Sequence, residues 1–330
     1  MEKSSIVSIN EGRPTAWHYK INPQTRTDIL RSSMKPIAVV DAPSILGLKP
    51  QGVERLPEAL KTKGLIERIG AEYHGRVVPT SSYSYQRDSE TNVLNSKGIR
   101  DFSISLSSKI RQEITADFFP LILGGDCSIL IGCMLALRKL GNYGLFFIDG
   151  HADFYQPSAS PTGEVADMDL AIVTGRGPEI LTNINGLRPL VKDRHTVAFG
   201  YRDVEEQQRN GSQDIKTTGV LTVEWEEIRK SGVMTKSSEV LDKLSETGID
   251  GFWIHLDVDV LDDAIMPAVD YRTPGGLSFG DLSKLLTQVL GSKRAVGMDI
   301  AIFNPELDQD GSIAEKLVDS IARGFEEGSG

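Results

Sequence analysis

Short, continuous apolar runs alternate with longer stretches in which apolar residues recur every three or four positions. This alternation continues from Pro36 to Phe325. The runs PIAVVD (36–41), FPLILG (119–124), YGLFFID (143–149), HTVAFG (195–200), GFWIHLDV (251–258) and AVGMDI (295–300) predict strands buried on both faces, the pattern of a parallel sheet. Helical spacing occupies 53–70, with Gly70 as its stop, then 98–117, roughly 128–139, 278–290 and 312–325. Strand and helix in turn imply an α/β fold, a parallel sheet covered by helices on both faces. Residues 1–35 are polar and aperiodic and read as an N-terminal arm. With no internal repeat and no linker, 36–330 reads as one domain.

Two strand ends carry unusual chemistry. Asp149, His151 and Asp153 occupy alternate positions after FFI, and Asp257 and Asp259 do the same after WIHL. In extended backbone, alternate side chains share a face, so both sets are expected to converge where parallel sheets place their ligands, at the carboxyl ends of the strands. An isolated Asp after a strand is ordinarily a turn or cap residue. Five ligand-type residues in two such places are not explained that way. Burying so many carboxylates together is very unfavourable without cations. Two divalent metals bridged by Asp149 and Asp257 remove the penalty, and carboxylates with one imidazole suit manganese and similar ions. His255 lies two positions before Asp257, on the same strand face. It is a candidate ligand or proton carrier, or else a core histidine held by a hydrogen bond.

Composition narrows the partners. The net charge is −10 with no run of Lys or Arg, which argues against nucleic acid and anionic membrane surfaces. The only cysteines, Cys127 and Cys133, cannot form a disulfide framework, so a reducing cytoplasm is the default. The opening MEKSSIVSIN lacks an apolar core of signal-peptide length, and no apolar run is long enough to span a bilayer.

At the acidic motifs the sequence resembles the arginase, agmatinase and formiminoglutamase family of ureohydrolases. Asp149-Gly150-His151-Ala152-Asp153 is similar to the family's D-A-H-x-D segment, Asp257 to Asp262 matches D-x-D-x-L-D, and Gly124-Gly125-Asp126-Cys127-Ser128 resembles G-G-D-H-S. Weaker similarities include Gly200-Tyr201-Arg202-Asp203, Thr273 to Leu277, and Asn304-Pro305. The resemblance implies a three-layer α/β/α sandwich with a mostly parallel central sheet. It implies two manganese ions and a bridging hydroxide that attacks a guanidinium carbon and releases urea. Asp149 and Asp257 would bridge the ions, Asp153 and Cys127 would complete one site, and His151 and Asp259 the other. Asp153 would also accept the hydroxide proton. A small-molecule substrate and a homo-oligomer, trimer or hexamer, follow from the same resemblance.

Three departures separate this chain from that pattern. The histidine ligand of G-G-D-H-S is Cys127, either a softer ligand that shifts preference toward nickel, cobalt, zinc or iron, or a small buried apolar residue. The proton-shuttling histidine of arginase falls at Ala166, in a loop carrying Glu164, Asp167 and Asp169, which reads as solvated and acidic. The guanidinium-binding glutamate falls at Ile302, with Glu306 nearby in sequence. Glu164 and Glu205 are the candidate substrate-binding residues, against the alternative that both lie in exposed loops. Beside the ureohydrolase reading stand a single-metal, deacetylase-like amidohydrolase and a non-catalytic metal-binding member of the family.

Overall fold

The computed structural model describes residues 35–328; the arm expected over 1–35 lies outside them but for its last residue. Eight strands form one sheet: β1 (Ile37–Asp41), β2 (Glu72–Arg76), β3 (Phe119–Leu123), β4 (Gly144–Ile148), β5 (Thr196–Phe199), β6 (Leu221–Val223), β7 (Phe252–Asp257) and β8 (Ala295–Ala301). Their order is β2-β1-β3-β8-β7-β4-β5-β6, and every pairing is parallel. The six predicted runs are the six inner or better-buried strands. The two missed strands are the edges, where one side is unpaired and the sequence shows no continuous apolar run.

Because strand side chains alternate between faces, successive residues feed two separate cores. Phe146, Ile148, Ile254 and Leu256 enter one core with the helices Phe279–Gly291 and Ser312–Gly328. Leu145, Phe147 and Trp253 enter the other with the helices Ser96–Thr115 and Ile129–Leu140. The three-layer α/β/α sandwich expected from the sequence is therefore present, with an all-parallel sheet.

The single helix expected over 53–70 is instead a 3-10 turn, Val53–Arg55, followed by two short helices, Leu56–Thr62 and Leu65–Ile69. Gly64 separates them with a left-handed φ of 80°, and Gly70 ends the second at φ 63°. Apolar periodicity runs across a break that only backbone conformation reveals. Also unpredicted are the helices Val204–Arg209, Trp225–Ser231 and Val233–Ser245 between β5 and β7.

Candidate metal centre

β4 and β7 are adjacent and paired so that Ile148 faces Leu256. One step further, the register sets Asp149 beside Asp257 at the carboxyl end, with the strands about 4.8 Å apart. Beyond these two residues the expected extended backbone does not continue. The Asp259 N–H donates to Asp257 Oδ1 at 2.7 Å while 258–260 wind into a 3-10 turn. The His151 N–H donates to Asp149 Oδ1 at 2.6 Å, and Asp153 takes a left-handed φ of 44°. Each leading Asp caps its own turn, and the turn, not strand alternation, swings the later donors inward.

Among the described residues three donor groups form, each with its atoms within 4.8 Å of one another. They are Cys127 with Asp149 and Asp257, Asp149 with His151 and Asp259, and Cys127 with Asp169 and His255. The first two share Asp149, as expected of a bridge. Asp257 joins only the Cys127 group, so the grouping does not reproduce its expected double role. Asp153 joins none of the three, although it is buried and lines the adjoining cavity.

Hydrogen bonds distribute unevenly over this cluster. Cys127 Sγ donates to Asp257 Oδ2 at 2.9 Å, the Gly150 N–H donates to Asp259 Oδ1 at 3.0 Å, and His151 Nδ1 stands 2.9 Å from Asp259 Oδ2. Asp149 Oδ2, fully buried, has no hydrogen-bond partner. Arg202 fixes the loops around them, donating from Nη2 to the carbonyls of Asp259 and Thr273 at 2.8 and 3.0 Å. A Cβ at residue 150 would collide with the Arg202 guanidinium, so Gly150 is the residue that lets this arginine in.

Burial is the largest influence on the acids, followed by their mutual repulsion. It pushes the carboxyls of Asp149 and Asp153 well above the ordinary range, with neighbouring carboxylates adding to it, and does the same to Asp257 and to the Cys127 thiol. Burial also disfavours the charged His151 ring, but Asp259, Asp203 and Asp257 outweigh it and raise the group to about 9. For Asp259 burial is likewise overcome, by His151 and Arg202, and the carboxyl is held below its usual value. Carboxyls forced toward neutrality and a bare buried oxygen are the features that divalent cations would relieve. The residues present therefore fit a metal pair sharing Asp149.

A cavity of about 220 Å³ opens over this cluster. Its walls carry eight carboxylates against a single arginine, Arg272. The 160–169 segment, expected to be a solvated acidic loop, is folded inward instead. Glu164 is 1% exposed, accepts a hydrogen bond from Tyr271 Oη at 2.7 Å and lies 3.7 Å from Lys49 Nζ. Burial lifts the Asp167 carboxyl to about 7, although Ser160 and Thr162 donate to it, and Asp169 is fully buried. Expectation at Glu205 also requires correction. That side chain is exposed and absent from the cavity wall, which its neighbours Asp203 and Glu206 line. On the helix Val204–Arg209 adjacent side chains point about 100° apart, so one residue decides between pocket and solvent. Ala166 and Ile302 line the cavity, Ile302 with a left-handed φ of 73° that a β-branched residue rarely adopts. Glu306 lies outside the cavity, paired with Arg55.

His255 is fully buried and does not line the cavity. It stacks on Phe147 at 4.7 Å and donates from Nδ1 to Asp299 Oδ2 at 2.6 Å. Sequence reasoning passed over Asp299 and read Asp169 as solvated. An acid inside the apolar run AVGMDI was the available signal for the first, since charged residues are seldom fully buried without a partner.

The family model for the "Arginase family" matches residues 35–325. The chain is 31% identical over 307 residues to an arginase of Staphylococcus aureus (strain MSSA476), covering 89% of this chain and 98% of that one. The crystal structure of the Bacillus caldovelox arginase superposes with a TM-score of 0.81 at 28% identity, covering 88% and 98% of the two chains. A hypothetical agmatinase from Burkholderia thailandensis shares the fold alone, with a TM-score of 0.65 at 16% identity over 88% of this chain and 84% of its own. A sandwich of this topology with acidic donors at the ends of β4 and β7 is the arrangement of a metal-dependent hydrolase. The chain belongs to the arginase family.

Proposed function

We propose that this protein hydrolyses a C–N bond in a linear guanidine or amidine compound at a pair of divalent metal ions, releasing urea or a related small amide. The observation that carries this reading is the sharing of Asp149 by two donor groups beneath a cavity walled by carboxylates. Asp149 and Asp257 would hold one ion, and Asp149, His151 and Asp259 the other. Bound there, the ions supply Lewis acidity and lower the pKa of water, so that a nucleophile is available near neutral pH. Asp153 takes up the proton lost in the attack at its carboxylate and returns it to the departing amine. The acidic wall attracts a cationic substrate and orients it over the pair. Oxygen-rich donors favour manganese, with nickel, cobalt, zinc or iron as alternatives. Two free, buried cysteines fit a reducing compartment such as the cytoplasm. Among the described residues no helix is long and apolar enough to cross a membrane.

L-Arginine is expected to be a poor substrate. Ile302 presents hydrocarbon where the family resemblance implies a carboxylate, and a planar cation with five donors is not satisfied there. Glu164, one of the wall carboxylates, is already engaged by Tyr271 and faces Lys49. Losing a buried charge-assisted pair costs roughly 2–5 kcal/mol, up to about a thousandfold or more in rate. The test is urea or amide release from a panel of guanidines, amidines and acetylated amines with manganese, nickel, cobalt or zinc. Turnover is expected on a guanidine or amidine other than arginine. A kcat/KM for arginine of about 10⁴ M⁻¹s⁻¹ or more would refute the role given to Ile302. Turnover confined to acetylated amines would replace the ureohydrolase reading with a deacetylase-like one.

A further inference from the structure

The third donor group lies outside the cavity wall. Cys127 Sγ, a carboxylate oxygen of Asp169 and a ring nitrogen of His255 come within 4.8 Å of one another, and the three residues are 1%, 0% and 0% exposed. Neither carboxylate oxygen of Asp169 has a hydrogen-bond partner; the Leu170 N–H polarises it from outside bonding geometry. His255 Nε2 is equally bare. Its other nitrogen is not. Asp299 accepts from His255 Nδ1 at 2.6 Å through one oxygen and from Trp253 Nε1 at 2.5 Å through the other. A carboxylate only accepts, so Nδ1 carries a proton, and Nε2 is the nitrogen that faces Cys127 and Asp169. A carboxylate that fixes the tautomer and aims the free nitrogen is the outer support that metal-bound histidines ordinarily have.

Buried polar atoms without partners are rare, and several meeting at one point call for a common partner. The Cys127 thiol donates to Asp257 and to neither of these bare groups. A divalent cation supplies that partner at once. Thiolate and carboxylate cancel its charge, the imidazole stays neutral, and the assembly enters the core with no net charge. Sulfur, nitrogen and oxygen together select a zinc-class ion over manganese.

We propose that Cys127, Asp169 and His255 form a metal site of their own, specific for a zinc-class ion and distinct from the pair grouped on Asp149. The deep ion takes the Cys127 thiolate and leaves the cavity pair on carboxylates and His151. It also ties the end of β7 to the loops that follow β3 and β4. Neither the substrate nor the turnover of the cavity pair enters this inference.

Cobalt(II) tests it, because a thiolate bound to cobalt gives a charge-transfer band in the near ultraviolet. The full chain loaded with cobalt is expected to show that band. Asp149→Asn, which disables the cavity pair, should keep it, whereas Asp169→Asn and His255→Ala should lose it. A wild-type protein without the band overturns the proposal. So does loss of the band in Asp149→Asn, or its survival in either of the other two variants, since Cys127 would then serve the cavity pair. If the deep-site variants do not fold, zinc-edge X-ray absorption of wild-type protein carrying one zinc per chain decides instead. Sulfur and imidazole around the same ion support the site, and a shell of oxygens alone overturns it. Failure of the hydrolase reading would appear in turnover and leave these spectra unchanged.

Discussion

The two acidic turns that meet across β4 and β7 resemble each other in sequence and differ in physical state. In the Asp257–Asp259 turn, all four carboxylate oxygens have a partner: a backbone N–H or a thiol for Asp257, a backbone N–H or an imidazole for Asp259. In the Asp149–Asp153 turn, Asp149 leaves one buried oxygen bare, and Asp153 is held in a left-handed backbone. The first turn is organised by the protein. The second holds charge that the protein itself does not compensate. The contrast teaches that ligand-type residues side by side can serve opposite purposes in the metal-free chain, one supporting the fold and the other taxing it.

The largest effect is expected at the uncompensated turn. Asp149→Asn should remove the shared donor, abolish metal loading of the cavity pair and lower kcat by about a thousandfold or more, roughly 4 kcal/mol in the barrier. The same change should make the metal-free protein more stable, by about 1–3 kcal/mol, because an amide replaces a buried, repelled carboxylate. Metal analysis and thermal unfolding in chelator check both halves. An Asp149→Asn chain that unfolds more easily without metal would dissolve the contrast.

Asp259→Asn should act in the opposite sense on the metal-free fold. It removes the partner of His151 and a charge attracted to Arg202, and leaving a partly buried imidazolium without its closest partner costs about 1–3 kcal/mol. Denaturant unfolding in chelator should show that loss. A neutral outcome would mean that Asp259, like Asp149, is held for metal alone.

A smaller effect concerns pH. In the metal-free fold His151 titrates at about 9, against an ordinary 6.5. A raised value contributes stability that is complete below 6.5 and is lost as pH rises through about 9. The carboxyls of Asp149, Asp153 and Asp257 are also raised, so they push the slope the same way. Melting temperature in chelator should therefore fall between pH 6.5 and 9, and His151→Asn should flatten the fall. Metal affinity should climb over the same window, since the donors bind only when deprotonated.

The sheet was legible because strands paired on both sides are apolar on both faces, which the sequence displays as unbroken runs. β2, with the exposed stretch Glu72–Arg76, and β6, three residues long, carry no such run. The acidic turns were legible as ligand-type residues after strands, but their convergence was assigned to the wrong geometry. A side chain capping its own turn depends on local backbone, which residue spacing does not encode. Glu205 was read for Glu206 because a loop was expected where a helix forms. Asp169 and Asp299 were passed over or read as solvated because burial is decided by distant chain, here by β7 and the segment that packs over it. Ile302 and Ala166 were placed at the cavity by their match to the family pattern, and both do line it.

β8 lies between β3 and β7, yet it is the last strand to leave the ribosome. Until Ala295–Ala301 emerges, the β1–β3 block and the β4–β7 block each present an unpaired inner edge, and no strand pairing joins them. The turn holding Cys127 belongs to the first block and the two acidic turns to the second. During synthesis the chain thus carries its acidic donors and its sulfur donor on separate, still mobile platforms. Domains gather in order of synthesis, and a bond between distant segments waits for the last of them. Metal capture should accordingly follow chain release: protein synthesised with chelator present and supplied with metal afterwards should recover full occupancy.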